Sequence, residues 1–376
     1  MEPSLTIGIE EEYLLVDPVT FDLVADPPDD FMKECQQALG DRVTPEFLKC
    51  QVEIGTPVCN SAPEARPHLV AFRRTLRRIA EHHGLRLMAA STHPFALWDQ
   101  QHHTAAKRYD DLDSDMGGAI RRMLICGMHV HVGIEDPDMR IDLMNQMTYF
   151  LPHLLALSAS SPFWGGHDMG MKSCRLTIFD GMPRTGIPDH FESWSEYEKV
   201  INHLIKAGIL EDSTKLWWDL RPSGRYPTLE MRITDVCTRL EDALCIAAIF
   251  QCLMRMLVRL KRSNQRWRIY PRVLVKENRW LAQRHGVTGT LVDLGRQERT
   301  PYEALMEEII EMVKVDAEAL NCEKEVAHAR TIMDRGTSAD RQLRVFADAK
   351  KAGADHAEAL VEVVKFLVEE TVADLP

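Results

Sequence analysis

The stretch LTIGIEEEYLLVD, residues 5–17, alternates like a β-strand but carries three consecutive carboxylates in its middle. Apolar residues alternate with smaller ones at its start, and Tyr13–Val16 continues in β-forming types. Because successive side chains of a strand point to opposite faces, Glu10 and Glu12 are predicted to share one face, roughly 6–7 Å apart. Glu11 lies on the other face, where we expect a structural ion pair.

Three later segments divide in the same way into an apolar face and a polar face. A sheet that contains all four segments, with helices covering its apolar side, would bring the polar faces together on one surface. These polar faces carry Glu53 in FLKCQVEIG, His129 and His131 in CGMHVHVGI, and Glu230 and Arg232 in TLEMRI.

Each of these features alone has an ordinary explanation. A single Glu in a strand is usually solvated, a His-x-His pair is often an exposed strand face, and Glu230 with Arg232 is also compatible with a structural ion pair. Clustered carboxylates repel one another, however, and are tolerated when a cation lies among them. An oxygen-rich set with one imidazole favours Mg²⁺ or Mn²⁺ over Zn²⁺, and it leaves the number of metal ions open.

Several arginines accompany the carboxylates. Arg175 and Arg184 lie in a Gly- and Pro-rich segment, residues 162–190, and Arg221 precedes the strand that carries Arg232. Metal ions and arginines together are typical of phosphoryl transfer, where charge stabilisation supplies most of the catalysis. The sequence contains no GxxxxGK[ST] and no GxGxxG after a strand, so a P-loop or Rossmann nucleotide site is not indicated.

Composition limits the class of protein. Of the 376 residues, 45 are basic and 57 are acidic, a net charge of −12 that argues against a nucleic-acid partner. The nine cysteines form no CxxC pair, which favours reduced, buried thiols. The N-terminus lacks the features of a signal peptide, and the apolar run 243–258 is too short and too interrupted for a membrane span. We therefore expect a cytoplasmic protein without a membrane partner.

The elements predict one α+β domain over residues 1–376, with a sheet-bearing core at 1–235 and a mainly helical part at 236–376. Within the core we expect further elements that bear on the site. These are a strand over 47–55, one long helix over 139–159, an irregular loop at 162–190 and a hairpin that turns at 222–227.

Seven segments occur in the order found in the glutamate–cysteine ligase type 2 family, also called YbdK-type carboxylate–amine ligases. The chain resembles this family over about residues 5–370 through TIGIEEEYLLVDPVT, QVEIGTPVC, STHPFALW, CGMHVHVGI, LSASSPFW, WWDLRPS…TLEMRITD and RHGVTGTLVD. The resemblance implies a glutamine synthetase-like catalytic domain, with a curved, mainly antiparallel sheet and helices on its convex face. It also implies ATP and divalent metal ions on the open face, and a homodimer.

The resemblance assigns roles to individual residues. Glu46 is a looser match than the other proposed metal ligands, because the segment before Glu53 is variable. His131 is interpreted as a substrate contact, with a ligand role left open, and His93 as either a substrate contact or a capping histidine. The expected metal ligands are Glu10, Glu12, Glu46, Glu53, His129 and Glu230; the expected catalytic residues are Arg232 and Arg221; the expected substrate contacts are His131, Arg175, Arg184 and His93.

The predicted enzyme is an ATP- and Mg²⁺-dependent carbon–nitrogen ligase that activates a carboxylate as an acyl phosphate and transfers it to an amine. Weak glutamate–cysteine ligase activity is expected from the resemblance, with glutamate and cysteine as small-molecule substrates. Two alternatives remain open: a metal-dependent hydrolase, which also uses His-x-His on a strand, and a metal- or nucleotide-binding protein without turnover. Consumption of ATP only when carboxylate and amine are both present would distinguish them.

Overall fold

A computed structural model of the chain, which describes residues 2–373 and 375, is built around one large antiparallel sheet. The described residues contain thirteen strands: β1 Ile7–Val16, β2 Val43–Pro45, β3 Gln51–Gly55, β4 Arg86–Met88, β5 Met128–Gly133, β6 Phe163–Trp164, β7 His167–Asp168, β8 Thr185–Gly186, β9 Trp217–Trp218, β10 Leu220–Pro222, β11 Thr228–Met231, β12 Thr290–Asp293 and β13 Glu298–Pro301. The main sheet has the order β10-β11-β5-β1-β3-β2, and β4 also pairs with β1.

Helices make up most of the remainder. The described α-helices are α1 Asp29–Leu39, α2 Ala62–His82, α3 Lys107–Met116, α4 Gly118–Arg121, α5 Pro137–Met147, α6 Leu151–Ser158, α7 Arg175–Phe179, α8 Trp194–Lys206, α9 Leu240–Arg262, α10 Arg272–His285, α11 Tyr302–Met312, α12 Lys314–Leu320, α13 Glu323–Arg335, α14 Ser338–Lys351 and α15 His356–Thr371. Short 3-10 helices span Gly40–Arg42, Trp98–Gln100, Ser213–Lys215 and Gly286–Thr288.

Strand β1 shows why the sheet has two chemically different faces. Its residues alternate strictly between buried and half-buried up to Glu12, and Glu11 lies on the buried side with Ile7 and Ile9. The side chains of Glu10 and Glu12 point to the other, half-buried face. The division of the strand by parity is confirmed, because a strand places alternate residues on opposite faces.

The buried face of the sheet is covered by helices. Helix α9 packs against β5 and α2. Of its most apolar 18-residue stretch, 83% is buried inside the protein. It is the one described helix that is long and apolar enough to cross a membrane. The expectation that the run 243–258 forms a buried core helix is confirmed.

Two predicted elements near the site are shorter than expected. Strand β3 begins only at Gln51, because the backbone before it pairs elsewhere: the N–H of Lys49 donates to the carbonyl of His102 at 2.9 Å. The long helix over 139–159 is split into α5 and α6. Pro152 lacks an N–H and would collide with the carbonyl of Thr148 in a continuous helix, but it is accommodated in the first turn of a new one.

Two regions contain short elements that the sequence did not predict: the loop at 162–190 and the helical C-terminal part. The segment 162–190 holds the short elements β6, β7, α7 and β8. The C-terminal part is mainly helical, as predicted, but includes the hairpin β12–β13. The hairpin that turns at 222–227 is confirmed as the antiparallel pair β10–β11.

Candidate active site

The register of the main sheet sets the predicted polar residues opposite one another. Glu10 on β1 faces His129 on β5, and Glu12 faces Glu53 on β3. One strand further along the sheet, His131 on β5 faces Glu230 on β11. Directly paired residues on one face of an antiparallel sheet have Cβ atoms about 5 Å apart. The four strands therefore assemble one continuous patch of carboxylates and imidazoles.

Oxygen and nitrogen atoms converge within this patch. His129 Nδ1 lies 3.3 Å from Glu10 Oε2, and His129 Nε2 lies 3.8 Å from Glu12 Oε1. Two sets of three side chains each have ligand atoms within 4.8 Å of one another, and both sets include His129. These sets are Glu10, His129 and Glu230, and Glu12, Glu53 and His129.

The charge of Glu53 is poorly compensated by the protein alone. Burial raises the pKa of Glu53 well above its usual range, and the neighbouring carboxylates of Glu46, Glu10 and Glu12 raise it further. The hydroxyl of Thr44 donates to Glu53 at 3.0 Å and only partly offsets this effect. A carboxylate held under such repulsion is stabilised when a cation binds beside it.

The surroundings of Glu10 have the opposite effect and stabilise its ionised form. Burial alone would raise the pKa of Glu10, but the neighbouring imidazoles of His129 and His131 lower it below its usual range. Burial and the Arg232 charge lower the pKa of His129, which favours the neutral imidazole that can bind a metal ion. Glu10 is therefore an ionised oxygen donor beside a neutral nitrogen donor.

The donor set fits a divalent metal ion. Among the described residues, the buried Nε2 atoms of His129 and His131 have no hydrogen-bond partner. Carboxylate oxygens outnumber imidazole nitrogens in both sets, which suits Mg²⁺ or Mn²⁺. Glu46 lies close enough to raise the pKa of Glu53 but belongs to neither set. Its role as a ligand stays a prediction.

Two arginines flank Glu230 and differ in what they can still bind. Arg221 donates through Nε and Nη2 to Glu230 at 2.9 and 3.1 Å, and through Nη1 to the carbonyls of Thr214 and Leu216. Arg232 also donates to Glu230, but its buried Nε has no partner within the described residues. Arg232 thus keeps a donor for an incoming group, whereas Arg221 holds Glu230 in position.

Arg175 reaches the same patch from helix α7. Its Nη1 donates to the carbonyl of Arg232 at 3.2 Å. A Cβ atom added to Gly127 would lie 2.3 Å from Arg175 Nη2 and 3.2 Å from His129 Nε2, so glycine is needed for this close approach. The structure therefore brings Arg175 beside His129, and its contact with substrate stays a prediction.

The two remaining predicted substrate contacts lie elsewhere. His93 is fully buried, its Nε2 is 2.9 Å from the carbonyl of Phe21, and its Nδ1 accepts from the N–H groups of Phe95 and Ala96. Both ring nitrogens of His93 hold the backbone, which favours the capping role predicted as one alternative; a contact with substrate stays a prediction. Arg184 donates to the carbonyl of Lys215, and no described contact joins it to the carboxylate patch.

Some supporting residues were missed by the sequence reasoning. Thr228 lies 2.9 Å from His131 Nδ1, and Asp235 accepts hydrogen bonds from the hydroxyls of Ser161 and Ser173 beneath Arg175. Burial raises the pKa of Asp235, and the charge of Arg175 opposes that rise. Thr228 shares strand parity with Glu230, a signal that could have identified it, whereas the Asp235 network depends on tertiary packing.

The comparison with known sequences agrees with this geometry. Residues 6–365 match the sequence profile described as Glutamate-cysteine ligase family 2 (GCS2). The chain belongs to this family. Two relatives with the provisional name glutamate–cysteine ligase 2 are 57% identical over 378 residues in Rhodospirillum rubrum and 51% identical over 374 residues in Jannaschia sp.. These alignments cover 100% of this chain and 97% and 98% of the two relatives.

Family membership confirms the predicted resemblance and the predicted enzyme class, an ATP-dependent carbon–nitrogen ligase. Among solved structures, the fold is similar to a bifunctional glutathione synthetase from Pasteurella multocida, with a TM-score of 0.68 and 16% identity. That match covers 98% of this chain, which spans 53% of the larger protein.

A glutamate–cysteine ligase from Francisella tularensis, solved in complex with AMP, is also similar, with a TM-score of 0.66 and 13% identity over 99% of this chain and 90% of that one. Similarity at this level of identity establishes the fold. The predicted glutamine synthetase-like class, an antiparallel sheet with a helical C-terminal part, is confirmed.

Proposed function

We propose that this chain is an ATP- and Mg²⁺-dependent carboxylate–amine ligase that forms an amide bond through an acyl phosphate. The observation that carries the proposal is the convergence of ligand atoms from Glu10, Glu12, Glu53, Glu230 and His129 on one face of the sheet, in two sets each within 4.8 Å. Such a patch beside unpartnered arginine N–H groups is suited to hold a polyphosphate with its metal ions.

The residues of the patch would have distinct tasks. Glu12, Glu53 and His129 would hold one Mg²⁺ or Mn²⁺ ion, and Glu10 with Glu230 would offer carboxylate oxygens to a second one. Bound metal ions would neutralise phosphate charge. Arg232 would donate to the transferred phosphoryl group through its Nε, and Arg221 would keep Glu230 oriented.

The reaction would proceed in two steps. A substrate carboxylate oxygen attacks the γ-phosphorus of ATP, and the bond from that phosphorus to the bridging oxygen breaks to release ADP. The amine nitrogen then attacks the acyl carbon, loses a proton to the medium and expels inorganic phosphate. Neither step needs a strong general base, so the protein would act mainly by positioning the reactants and stabilising charge.

Glutamate and cysteine are the substrates we propose, with turnover that is weak compared with a dedicated glutamate–cysteine ligase. The names of the relatives and the glutamate–cysteine ligase fold support this choice. Arg175 and His131 lie at the edges of the carboxylate patch and are the proposed contacts to the glutamate carboxylates and the amine substrate. Arg184 is proposed only as a more distant contact.

We further propose a cytoplasmic homodimer in which the whole chain forms one domain. All nine cysteines are free and buried, which suits a reducing compartment. Helix α9 packs against β5, so the helical part and the sheet share one core. Light scattering after size exclusion would test the dimer, and a monomeric mass at micromolar concentration would contradict it.

Arg232→Lys is expected to lower ATP turnover on the order of 100-fold, because lysine keeps the charge but loses the planar fork that can contact Glu230 and phosphate together. Steady-state ADP release with saturating substrates would measure the loss. Arg330→Lys is the matched control, since Arg330 forms an exposed ion pair with Glu307 and neither residue belongs to the carboxylate patch. Near-normal turnover of Arg232→Lys would reduce Arg232 to a structural partner of Glu230.

The acyl phosphate can be detected with hydroxylamine, which is small enough to replace the natural amine. Incubation of the protein with Mg²⁺, ATP and glutamate is expected to yield γ-glutamyl hydroxamate and an equal amount of ADP. A hydrolase would make neither product in this proportion, and a binding protein would leave ATP intact. If a broad panel of carboxylates gives no hydroxamate while Mg²⁺ and ATP bind, the ligase proposal is wrong.

A further inference from the structure

A cavity lies between helices of both parts of the chain, outside the strands that carry the carboxylates. Its volume is about 200 Å³, enough to hold several water molecules. Tyr149 and Phe150 line it between α5 and α6, Trp267 and Tyr270 precede α10, and Asp293 ends β12. None of the residues proposed for the ligase site, neither its metal ligands nor its arginines, is among the described residues that line this cavity.

The walls of this cavity form an aromatic cage, which we define as Tyr149, Phe150, Trp267 and Tyr270. The rings pack closely: the centroid of Tyr149 is 5.5 Å from that of Trp267 and 5.4 Å from that of Tyr270, and Phe150 lies 4.9 Å from Trp267. Aromatic faces attract cations within about 6 Å of the ring centroid. The guanidinium of Arg268, 5.2 Å from the centroid of Tyr270, already uses one such face from outside.

The charged groups at the cavity also favour a cation. Asp293 and Glu308 line it, and the one arginine among the lining residues, Arg296, is already paired with both, at 3.2 and 2.8 Å. Burial raises the pKa of Tyr149, and the nearby charges of Asp293 and Glu308 raise it further. Burial lowers the pKa of His153 to about 4, so this lining imidazole adds no positive charge at neutral pH. The net charge of these groups is therefore −1.

Two lining residues have polar atoms that the protein leaves unused. Among the described residues, the buried Nε1 of Trp267 and Nδ1 of His153 have no hydrogen-bond partner. Buried polar groups are almost always paired, so an unpaired one calls for an explanation. An oxygen atom of a bound ligand would give the Trp267 N–H the acceptor that it lacks.

We propose that the aromatic cage binds a small ammonium compound that carries a hydroxyl or carbonyl oxygen. The ammonium group would pack against the aromatic lining, the net charge of Asp293, Glu308 and Arg296 would balance it, and the oxygen would accept from Trp267. Anions are disfavoured because Arg296 is already neutralised by its two carboxylates. The site is separate from the proposed ligase centre and does not depend on its chemistry.

Choline and its neutral isostere 3,3-dimethylbutan-1-ol test this proposal, because they differ in charge but hardly in shape. Titration calorimetry of the full chain is expected to show saturable choline binding about ten-fold tighter than binding of the neutral isostere. Equal affinity for the two compounds would mean an apolar cavity without cation recognition. Absence of saturable choline binding would overturn the proposal outright.

Variants locate the binding. Trp267→Leu is expected to abolish choline binding, and Trp280→Leu is the matched control because Trp280 is 51% exposed on α10 and lies outside the cage. Glu308→Gln removes an exposed charge with little effect on packing, so it tests the proposal even if Trp267→Leu fails to fold. This substitution should weaken choline binding by about five-fold and leave the affinity for the isostere unchanged. Unchanged choline binding in both Trp267→Leu and Glu308→Gln would contradict the proposal, and Glu53→Gln should not affect choline binding.

Discussion

Glu53→Gln is expected to lower ATP turnover by roughly 100-fold or more and, in the absence of metal, to stabilise the protein against unfolding. The pKa of Glu53 is raised by burial and by Glu46, Glu10 and Glu12. A carboxyl whose pKa is raised on folding contributes stability only below its ordinary pKa, and this contribution is lost as the pH rises through the raised value. At neutral pH the Glu53 carboxyl therefore destabilises the metal-free fold, and glutamine removes this effect.

Glu230→Gln is expected to lower ATP turnover as much as Glu53→Gln does. Unlike Glu53→Gln, it is expected to destabilise the metal-free protein. Burial alone would raise the pKa of Glu230, yet Arg232, Arg221 and His131 lower it well below its usual range. Such a group contributes stability above its ordinary pKa, and this is lost as the pH falls through the lowered value. Glutamine at neutral pH would leave two half-buried arginines, Arg221 and Arg232, short of a counter-ion.

These opposite signs make the test specific to the carboxylate patch. Thermal unfolding in excess chelator is expected to show a higher melting temperature for Glu53→Gln and a lower one for Glu230→Gln than for the wild type. Added Mg²⁺ or Mn²⁺ should stabilise the wild type more than either variant, because each substitution removes a ligand from one of the two sets. Glu307→Gln, which removes an exposed partner of Arg330, is the control for a glutamate lost elsewhere. Near-normal turnover of both variants, or full activity in chelator, would refute the metal site.

Strand parity alone was enough to group Glu10, Glu12, Glu53 and Glu230, because a half-buried sheet has one polar face and a fixed period of two. It could not give the register, which pairs Glu12 with Glu53 and depends on how the intervening chain folds back. The family resemblance supplied Glu46, which parity had not singled out.

The features that sequence reasoning left open or missed have physical causes. His93 shares its type with substrate-binding histidines, and the hydrogen bond that its Nε2 donates to the carbonyl of Phe21, 72 positions away, depends on tertiary packing. The predicted long helix continued an apolar pattern through Pro152, where the backbone begins a new helix. Short elements within 162–190 have too few residues to give a periodic signal.

The explanation for Glu11 was predicted only in part. An ion pair was expected on the buried side of β1, and Arg73 on α2 is its partner, with Nη2 2.6 Å from Glu11 Oε1 and no exposed surface on either side chain. Arg73 stands three and four residues from Leu76 and Leu69, on the apolar stripe of its helix. An arginine on that stripe was a signal in the sequence, whereas Arg77 and Arg78 are exposed.

Arg73→Met is therefore expected to lower the free energy of unfolding by about 3–5 kcal/mol, because it leaves the Glu11 carboxylate buried without its counter-ion. The loss extends beyond the ion pair: Arg73 also donates to the hydroxyl of Tyr13 and to the carbonyls of Cys237 and Thr238, which join β1 to the segment before α9. Urea unfolding monitored by circular dichroism would measure the change.

The control for this loss lies one turn further along the same helix. Arg77 pairs with Glu81 at 3.0 Å, but both side chains are more than 40% exposed, so Arg77→Met is expected to cost about 0.5 kcal/mol or less. The double variant Glu11→Leu with Arg73→Met should recover part of the stability lost by Arg73→Met alone, because neither charge then remains buried. A cost below about 1 kcal/mol for Arg73→Met would contradict a buried pair that fixes the first strand to the helical layer. A double variant no more stable than the single one would instead assign the loss to the arginine's bonds with backbone carbonyls.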